Sequence, residues 1–167
     1  LEDWRDDWTF GAEATLSLYS PPPQGTSFDP EATLTRMKTR FDEYISQLDF
    51  ENGEYTFFFP PYSALYWNYA REAGNAETYL AFKAYAEGKL LECKNVRIFD
   101  FQNADFVTDL DNYKDYTHYA PEINDRMLGC FSSGEYLVTA PAEAEALIVK
   151  TDAQVTELLE RYPQVPH

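Results

Sequence analysis

The chain has 167 residues, 44% of them hydrophobic and 17% aromatic, which is enough for one folded domain and argues against a disordered chain. Its 29 acidic and 13 basic residues give a formal net charge of −16 at pH 7, a field that repels nucleic acid and anionic membrane surfaces. The sequence holds no run of roughly 18 apolar residues, so it predicts no membrane span.

Residues 1–28 are expected to be an irregular surface segment, because three prolines at 21–23 and Gly25 interrupt any regular element. The first predicted helix begins after Asp29, a good N-cap residue, and has Pro30 in its first turn. It extends to about Asp49, and its apolar side chains recur at spacings of three and four: Leu34, Met37, Phe41, Tyr44, Ile45 and Leu48.

Residues 55–59 form a short β-favouring run that is apolar on both faces, which is typical of a central strand in a parallel sheet. The later elements are predicted, in chain order, as helices at 63–71 and 75–91, a strand at 95–101, a helix at 121–131, a short strand or extended segment at 135–139, and a last helix at 152–161 with Asp152 as its N-cap.

This alternation of strands and helices predicts a single α/β domain over residues 29–167, with a parallel sheet covered by helices on both faces. The resulting architecture is a three-layer α/β/α fold. Two strands are clear and one or two are weak, whereas doubly wound sheets usually have more. Because the chain begins with Leu1 and carries no signal peptide, we expect further strands to lie upstream of it.

Cys93 and Cys130 show no metal-binding spacing. In an oxidising compartment they could form one disulfide, and otherwise they are two unpaired thiols, so both alternatives stay open.

His118 is the one internal histidine, since the other, His167, ends the chain. Asp115 precedes it by three residues, in a polar loop that follows the second predicted strand. Residues three apart in a turn lie on one side, so the carboxylate can accept from Nδ1–H and leave Nε2 free as a general base. Ligand sites of α/β sheets also lie in loops after the carboxyl ends of strands. By spacing alone the pattern is weak, because a surface Asp and His three residues apart often occur by chance without a function.

The same loop is acidic, with Asp109 and Asp111 close to Asp115. It lacks the glycine and the final glutamate of a calcium-binding loop, so we expect a solvated acidic loop without a metal or other cofactor.

The extended sequence around the pair, residues 112–124 (NYKDYTHYAPEIN), resembles the last block of SGNH hydrolase-like exported proteins. This branch includes relatives of the alginate acetylation proteins and of the D-alanine transfer protein of lipoteichoic acid synthesis. Residues 57–63 (FFFPPYS) and 95–101 (NVRIFDF) also look like that branch and occur in the expected order. The resemblance covers about residues 30 to 130.

The resemblance implies a flavodoxin-like, SGNH-like fold in which Asp115 orients His118 and His118 is the catalytic base. It implies an esterase or O-acyltransferase that uses a serine acyl-enzyme on a cell-envelope glycan or acyl donor. The protein would be extracytoplasmic, exported or membrane-anchored. The serine of the family lies in a Gly-Asp-Ser block, which this sequence lacks, so either the block lies upstream of Leu1 or this copy has lost it. The chain by itself is therefore expected to be nearly inactive.

By the same resemblance, Tyr62, Ser63 and Tyr119 are candidates to line a substrate pocket. Ser63 follows a predicted strand and opens a helix, as a nucleophile would, but no glycine flanks it. A simple helix N-cap is the competing interpretation of Ser63.

A second hypothesis belongs to a different class of protein. Exposed aromatic side chains such as Tyr62, Tyr66 and Trp67 suit a non-catalytic module at the cell surface that binds a glycan or a protein. The sequence upstream of Leu1 would discriminate between the two hypotheses. A membrane span and a Gly-x-Ser strand there would favour the enzyme.

Overall fold

A computed structural model describes residues 8–23 and 28–165. Within these ranges lie helices and strands in the order α1 Ala12–Leu18, α2 Pro30–Ile45, β1 Tyr55–Phe59, α3 Ala64–Glu72, α4 Ala76–Leu91, β2 Val96–Asp100, α5 Pro121–Ser133 and α6 Ala144–Arg161. The protein is therefore of the mixed α/β class, as the sequence predicted, with far more helix than strand.

The sheet consists of β1 and β2, which pair in parallel from Tyr55↔Val96 to Phe59↔Asp100. The connection between them contains α3 and α4, the helical crossover that a parallel pair needs. On the other side of β2, the predicted extended segment at 135–139 forms an antiparallel bridge between Phe99 and Leu137. Among the described residues, β1 is an edge strand rather than a central one, and its Phe58 side chain is 44% exposed.

The helices pack mainly on one another. α4 lies between α2 and α6, and α3 also packs against α6. Phe41 of α2 meets Phe82 of α4 edge to face, with the ring centroids 5.7 Å apart. The largest fully buried side chains of the core come from β2, from the loop after it and from these helices: Tyr113, Phe99, Phe101, Leu65, Leu80, Ile98, Leu110 and Leu158.

The N-terminal segment differs from the prediction where the structure describes it. Residues 12–18 form α1, and Thr15 of this helix donates a 2.8 Å hydrogen bond from Oγ1 to the carbonyl oxygen of Tyr113. Tyr19 is buried in a cluster with Leu110 and Leu158. The first part of the segment, at 1–7, and residues 24–27 lie outside the described residues. The segment therefore belongs to the core, because its apolar side chains pair with residues about 100 positions away.

The last helix begins eight residues earlier than predicted, at Ala144, so Asp152 lies inside α6 and is not its N-cap. The buried stripe extends back from Leu158 and Val155 through Thr151 to Leu147, at helical spacings of three and four. The residues added at the start are good helix formers, such as Ala144 and Glu145.

The remaining elements lie within a few residues of their predicted positions. The Asp29 side chain accepts a 3.0 Å hydrogen bond from the N–H of Ala32, which confirms its role as the N-cap of α2. Cys93 and Cys130 are both free thiols. No helix within 8–23 or 28–165 has both the length and the apolar character needed to cross a membrane.

Candidate functional site

The loop that carries Asp115 and His118 is built by short-range hydrogen bonds. After β2 the chain makes three 3₁₀ turns, and Tyr113 and Tyr119 then form an antiparallel bridge that encloses residues 114–118. The N–H of Lys114 donates a 2.9 Å hydrogen bond to the carbonyl oxygen of His118. Asp115 and His118 thus lie in a short loop whose two ends are joined by backbone hydrogen bonds.

Within this loop the two side chains of the predicted pair meet. Nδ1 of His118 lies 2.7 Å from Oδ2 of Asp115. The other carboxylate oxygen, Oδ1, accepts from the backbone N–H groups of Thr117 and His118, each at 2.9 Å, and from the Thr117 hydroxyl at 3.0 Å. The carboxylate is therefore fixed on both oxygens, and an Nδ1–H that donates to it leaves Nε2 of a neutral ring unprotonated.

These contacts also set the charge of Asp115. Partial burial raises the pKa of this carboxyl group, but the hydrogen bonds from Thr117 and His118 lower it more, so the pKa lies below its ordinary value. The carboxylate is then charged at neutral pH. In that form it stabilises the imidazolium that His118 becomes when it accepts a proton.

The pair is open to solvent on the histidine side. The side chain of His118 is 56% exposed, whereas that of Asp115 is 23% exposed. Among the described residues, no hydroxyl group is hydrogen-bonded to Nε2 of His118. The Thr117 hydroxyl approaches Nδ1, at 3.4 Å, on the side that faces Asp115. Nε2 of His118 can thus accept a proton from a group that approaches it from solvent. The described residues do not supply that group.

The loop lies at the carboxyl end of β1. Ser63, which follows this strand, donates from Oγ to the carbonyl oxygen of Tyr116 at 2.9 Å and from its N–H to the same oxygen at 3.1 Å. The Tyr113 hydroxyl donates to the carbonyl oxygen of Pro61 at 2.8 Å. These bonds place the Asp–His pair at the carboxyl ends of the strands, where α/β proteins bind their ligands.

Ser63 is fully buried and both of its polar groups are bonded to Tyr116, so its hydroxyl is not presented to solvent. It occupies the N-cap position of α3, although its side chain makes no capping hydrogen bond. The N–H of Tyr62 donates to the carbonyl oxygen of Pro60 at 2.8 Å. Neither backbone N–H is therefore free to bind an oxyanion. The roles of Ser63, Tyr62 and Tyr119 in a substrate pocket stay predictions.

Aromatic rings join the loop to α3. Tyr116 stacks on Tyr69, with the ring centroids 5.6 Å apart and the planes 9° from parallel, and a second stack joins Tyr116 to Tyr66 at 6.2 Å. Tyr62 packs against Tyr66 at 4.8 Å, and both are partly buried. The surface beside the pair is therefore continuous with an aromatic face of α3. Trp67, predicted to be exposed, is instead buried at 3% exposure, because it packs in the core with Leu80 and Val155.

Trp8 contributes a contact that spacing in the sequence did not reveal. Its ring lies edge-on to the His118 ring, with the centroids 5.2 Å apart, and the Lys114 ammonium lies 3.9 Å from the centre of the same indole. Such packing restricts the rotation of the imidazole and supports its orientation toward Asp115. A tryptophan 110 positions before the histidine has no local pattern that could have indicated this contact.

The other acidic residues of the loop have structural partners. Oδ1 of Asp109 lies 3.0 Å from the Arg161 guanidinium, and Oδ1 of Asp111 accepts a 2.9 Å hydrogen bond from the N–H of Ala12 in α1. In the part of the chain that the structure describes, no three His, Cys, Asp or Glu side chains are placed to hold a metal ion. Asp109 and Asp111 thus fasten the loop to α6 and α1.

Comparisons with protein-family models, with curated proteins and with solved structures give no match. Function is therefore inferred from the residues and their geometry.

Proposed function

We propose that Asp115 and His118 are the orienting acid and the general base of an SGNH-type esterase or O-acyltransferase site. The observation that carries the proposal is the 2.7 Å contact between Nδ1 of His118 and Oδ2 of Asp115, with the rest of the imidazole exposed. The proposal includes a flavodoxin-like layering of the whole domain. The parallel β1–β2 pair with its helical crossover supports that layering.

The chemistry would proceed in two steps. Nε2 of His118 takes the proton of a serine hydroxyl as its oxygen attacks an acyl carbonyl, and the imidazolium then gives this proton to the departing alcohol. In the second step the base activates water, for hydrolysis, or an acceptor hydroxyl, for acyl transfer, and the serine is released. Asp115 remains charged throughout and holds the tautomer in which Nε2 accepts.

The serine is not supplied by the loop or by Ser63, whose hydroxyl is buried on the carbonyl oxygen of Tyr116. The proposal therefore assigns two of the three triad roles to this chain and leaves the nucleophile to a group that approaches the exposed Nε2. We propose an acyl group on a cell-envelope glycan as the substrate and an extracytoplasmic location. Both rest on the sequence resemblance.

The test is reaction with a fluorophosphonate probe, applied to the longest form in which the protein is made. Labelling of the wild type should fall by about 10⁴-fold in Asp115→Asn and by up to about 10⁶-fold in His118→Ala, because the serine depends on both groups and more on the base. Asp125→Asn changes an exposed carboxylate of α5 and should label like the wild type. An unlabelled wild type overturns the proposal.

A second measurement needs only the chain itself. The ¹⁵N shifts of His118 should show the neutral ring protonated on Nδ1, the less common tautomer of free histidine, and Asp115→Asn should shift the population toward the other form. A wild-type ring protonated mainly on Nε2 would show that Asp115 does not orient it.

A further inference from the structure

An aromatic cleft whose lining does not include Asp115 or His118 lies between α2, α3, α4 and the carboxyl ends of both strands. Its volume is about 300 Å³ and it is partly open to solvent. This volume is at the lower end of the range for small-molecule sites. The walls of the cleft include the side chains of Tyr62, Tyr66, Trp67, Phe59, Lys83 and Gln102.

Two polar groups of the cleft walls have no partner among the described residues. These are Nε1 of Trp67 and Oε1 of Gln102, on side chains of which the first is 3% and the second 8% exposed. A buried donor or acceptor without a partner destabilises a protein, so each such group calls for a partner. In the described part of the chain, Asn75 and Gln154 also have an unpaired buried oxygen, but neither lines the cleft. Of the two cleft groups, one is a donor and the other an acceptor, which suits a ligand with hydroxyl groups, since a hydroxyl can both accept and donate a hydrogen bond.

The charges of the cleft are already balanced. The Lys83 ammonium lies 2.7 Å from Oδ1 of Asp100 and 5.2 Å from the centre of the Phe59 ring. An anionic ligand would meet a cation that is already paired, in a protein of net charge −16. A cationic ligand would be repelled by the Lys83 ammonium, which already occupies the face of the Phe59 ring on which such a ligand would pack. The site therefore suits a neutral ligand.

The shape of the walls favours a ring with apolar faces. Tyr62 and Tyr66 lie with their ring centroids 4.8 Å apart, and Trp67 packs edge-on to Tyr66 at 5.2 Å. Burial raises the pKa of the Tyr66 hydroxyl, which stays protonated and neutral at physiological pH. Aromatic faces beside neutral hydrogen-bonding groups suit a sugar, whose C–H face packs on a ring while its hydroxyls bond at the edges.

We infer that this cleft binds one ring of a neutral saccharide, which packs on Tyr62 and Tyr66 and bonds to Nε1 of Trp67 and Oε1 of Gln102. Both of these atoms are buried, so binding requires that the ligand displace a side chain that covers them. The site uses residues other than Asp115 and His118 and stands whether or not that pair is catalytic.

The test is titration of the full chain with cellobiose, N,N′-diacetylchitobiose and maltose, followed through the indole N–H signal of Trp67 in ¹H–¹⁵N spectra. At least one of the three should shift this signal in a saturable manner. Tyr62→Ala should weaken that binding about tenfold, since it removes one aromatic contact from a half-exposed position. Trp67→Phe keeps the packed ring, loses the donor and should also weaken binding, which calorimetry measures without the indole signal.

Tyr44→Ala is the matched control, because Tyr44 is a tyrosine of α2 that is 71% exposed and does not line the cleft. It should bind as the wild type does, and so should His118→Ala, which separates this site from the proposed catalytic pair. If none of the three saccharides shifts the Trp67 signal, or if Tyr62→Ala binds like the wild type, the inference is overturned. A shift with tetramethylammonium and none with the saccharides overturns it as well.

Discussion

Oγ of Ser63 donates a 2.9 Å hydrogen bond to the carbonyl oxygen of Tyr116 and so joins the start of α3 to the loop that carries the Asp–His pair. The two residues are 53 positions apart. The N–H of Ser63 reaches the same oxygen, so this one residue fastens the loop twice. A serine placed where a nucleophile would be expected thus positions the loop instead.

Ser63→Ala should lower the free energy of unfolding by about 1 kcal/mol, since one net hydrogen bond is lost while the bond from the N–H remains. Chemical denaturation measures this change. Fluorophosphonate labelling of the longest form of the protein should be unaffected, because the Ser63 hydroxyl is buried on the carbonyl oxygen of Tyr116. Ser46→Ala, which removes an exposed hydroxyl that bonds Glu43, should change stability much less. Loss of labelling in Ser63→Ala would restore Ser63 as the nucleophile.

Asp115→Asn should change how stability depends on pH. The folded pKa of Asp115 lies below its ordinary value, so its stabilising contribution is present above the unfolded pKa of about 3.9 and is lost as the pH falls through the folded value. The variant should therefore be less stable than the wild type at pH 7, and the difference should shrink in acid. Urea denaturation at several pH values measures it, with Asp125→Asn as the control. A pH-independent difference would contradict the assignment.

The contacts that could be predicted from the sequence are the local ones. Asp115 and His118 meet because residues three apart in a turn share a side, and β1 and β2 are parallel because a helical connection separates them. Contacts between distant residues, such as that of Trp8 with His118, could not be predicted, because neither residue spacing nor hydrophobic periodicity indicates which distant side chains meet. The predicted start of α6 is wrong because Asp152 resembles an N-cap, whereas burial of Leu147 extends the helix.

Two glycines of α5 and its C-cap should respond to alanine in opposite directions. Gly134 ends the helix in the left-handed region, at φ 82°, so Gly134→Ala should cost about 1 kcal/mol. Gly129 lies inside the same helix, and a Cβ there would meet nothing within 4 Å, so Gly129→Ala should stabilise by about 0.5–1 kcal/mol. Thermal unfolding of both variants measures the pair of effects. A stabilising Gly134→Ala would contradict the left-handed helix end at Gly134, and a destabilising Gly129→Ala would contradict the open space at Gly129.

Lys83→Met should destabilise the protein strongly, because it breaks a buried ion pair. Lys83 and Asp100 are paired at 2.7 Å with side chains that are 4% and 10% exposed, and Glu87 is buried nearby. Burial lowers the pKa of Lys83, and the adjacent Asp100 opposes that shift. Without the ammonium, Asp100 is left as a buried charge. The hydrogen bonds that it accepts from Asn103 and from the N–H of Gln102 stabilise this charge only in part. The expected loss is about 3–5 kcal/mol in the free energy of unfolding, measured by chemical denaturation.

The exposed pair of Lys94 with Glu51 is the matched control for that measurement. Its atoms are 2.9 Å apart, almost as close, but both side chains are 71% exposed. Lys94→Met should leave the free energy of unfolding nearly unchanged, because water screens the pair. The double variant of Lys83→Met with Asp100→Asn should recover part of the loss, since it removes the unpaired charge. If Lys83→Met were as mild as Lys94→Met, Asp100 would have to take up a proton or reach solvent when Lys83 is removed.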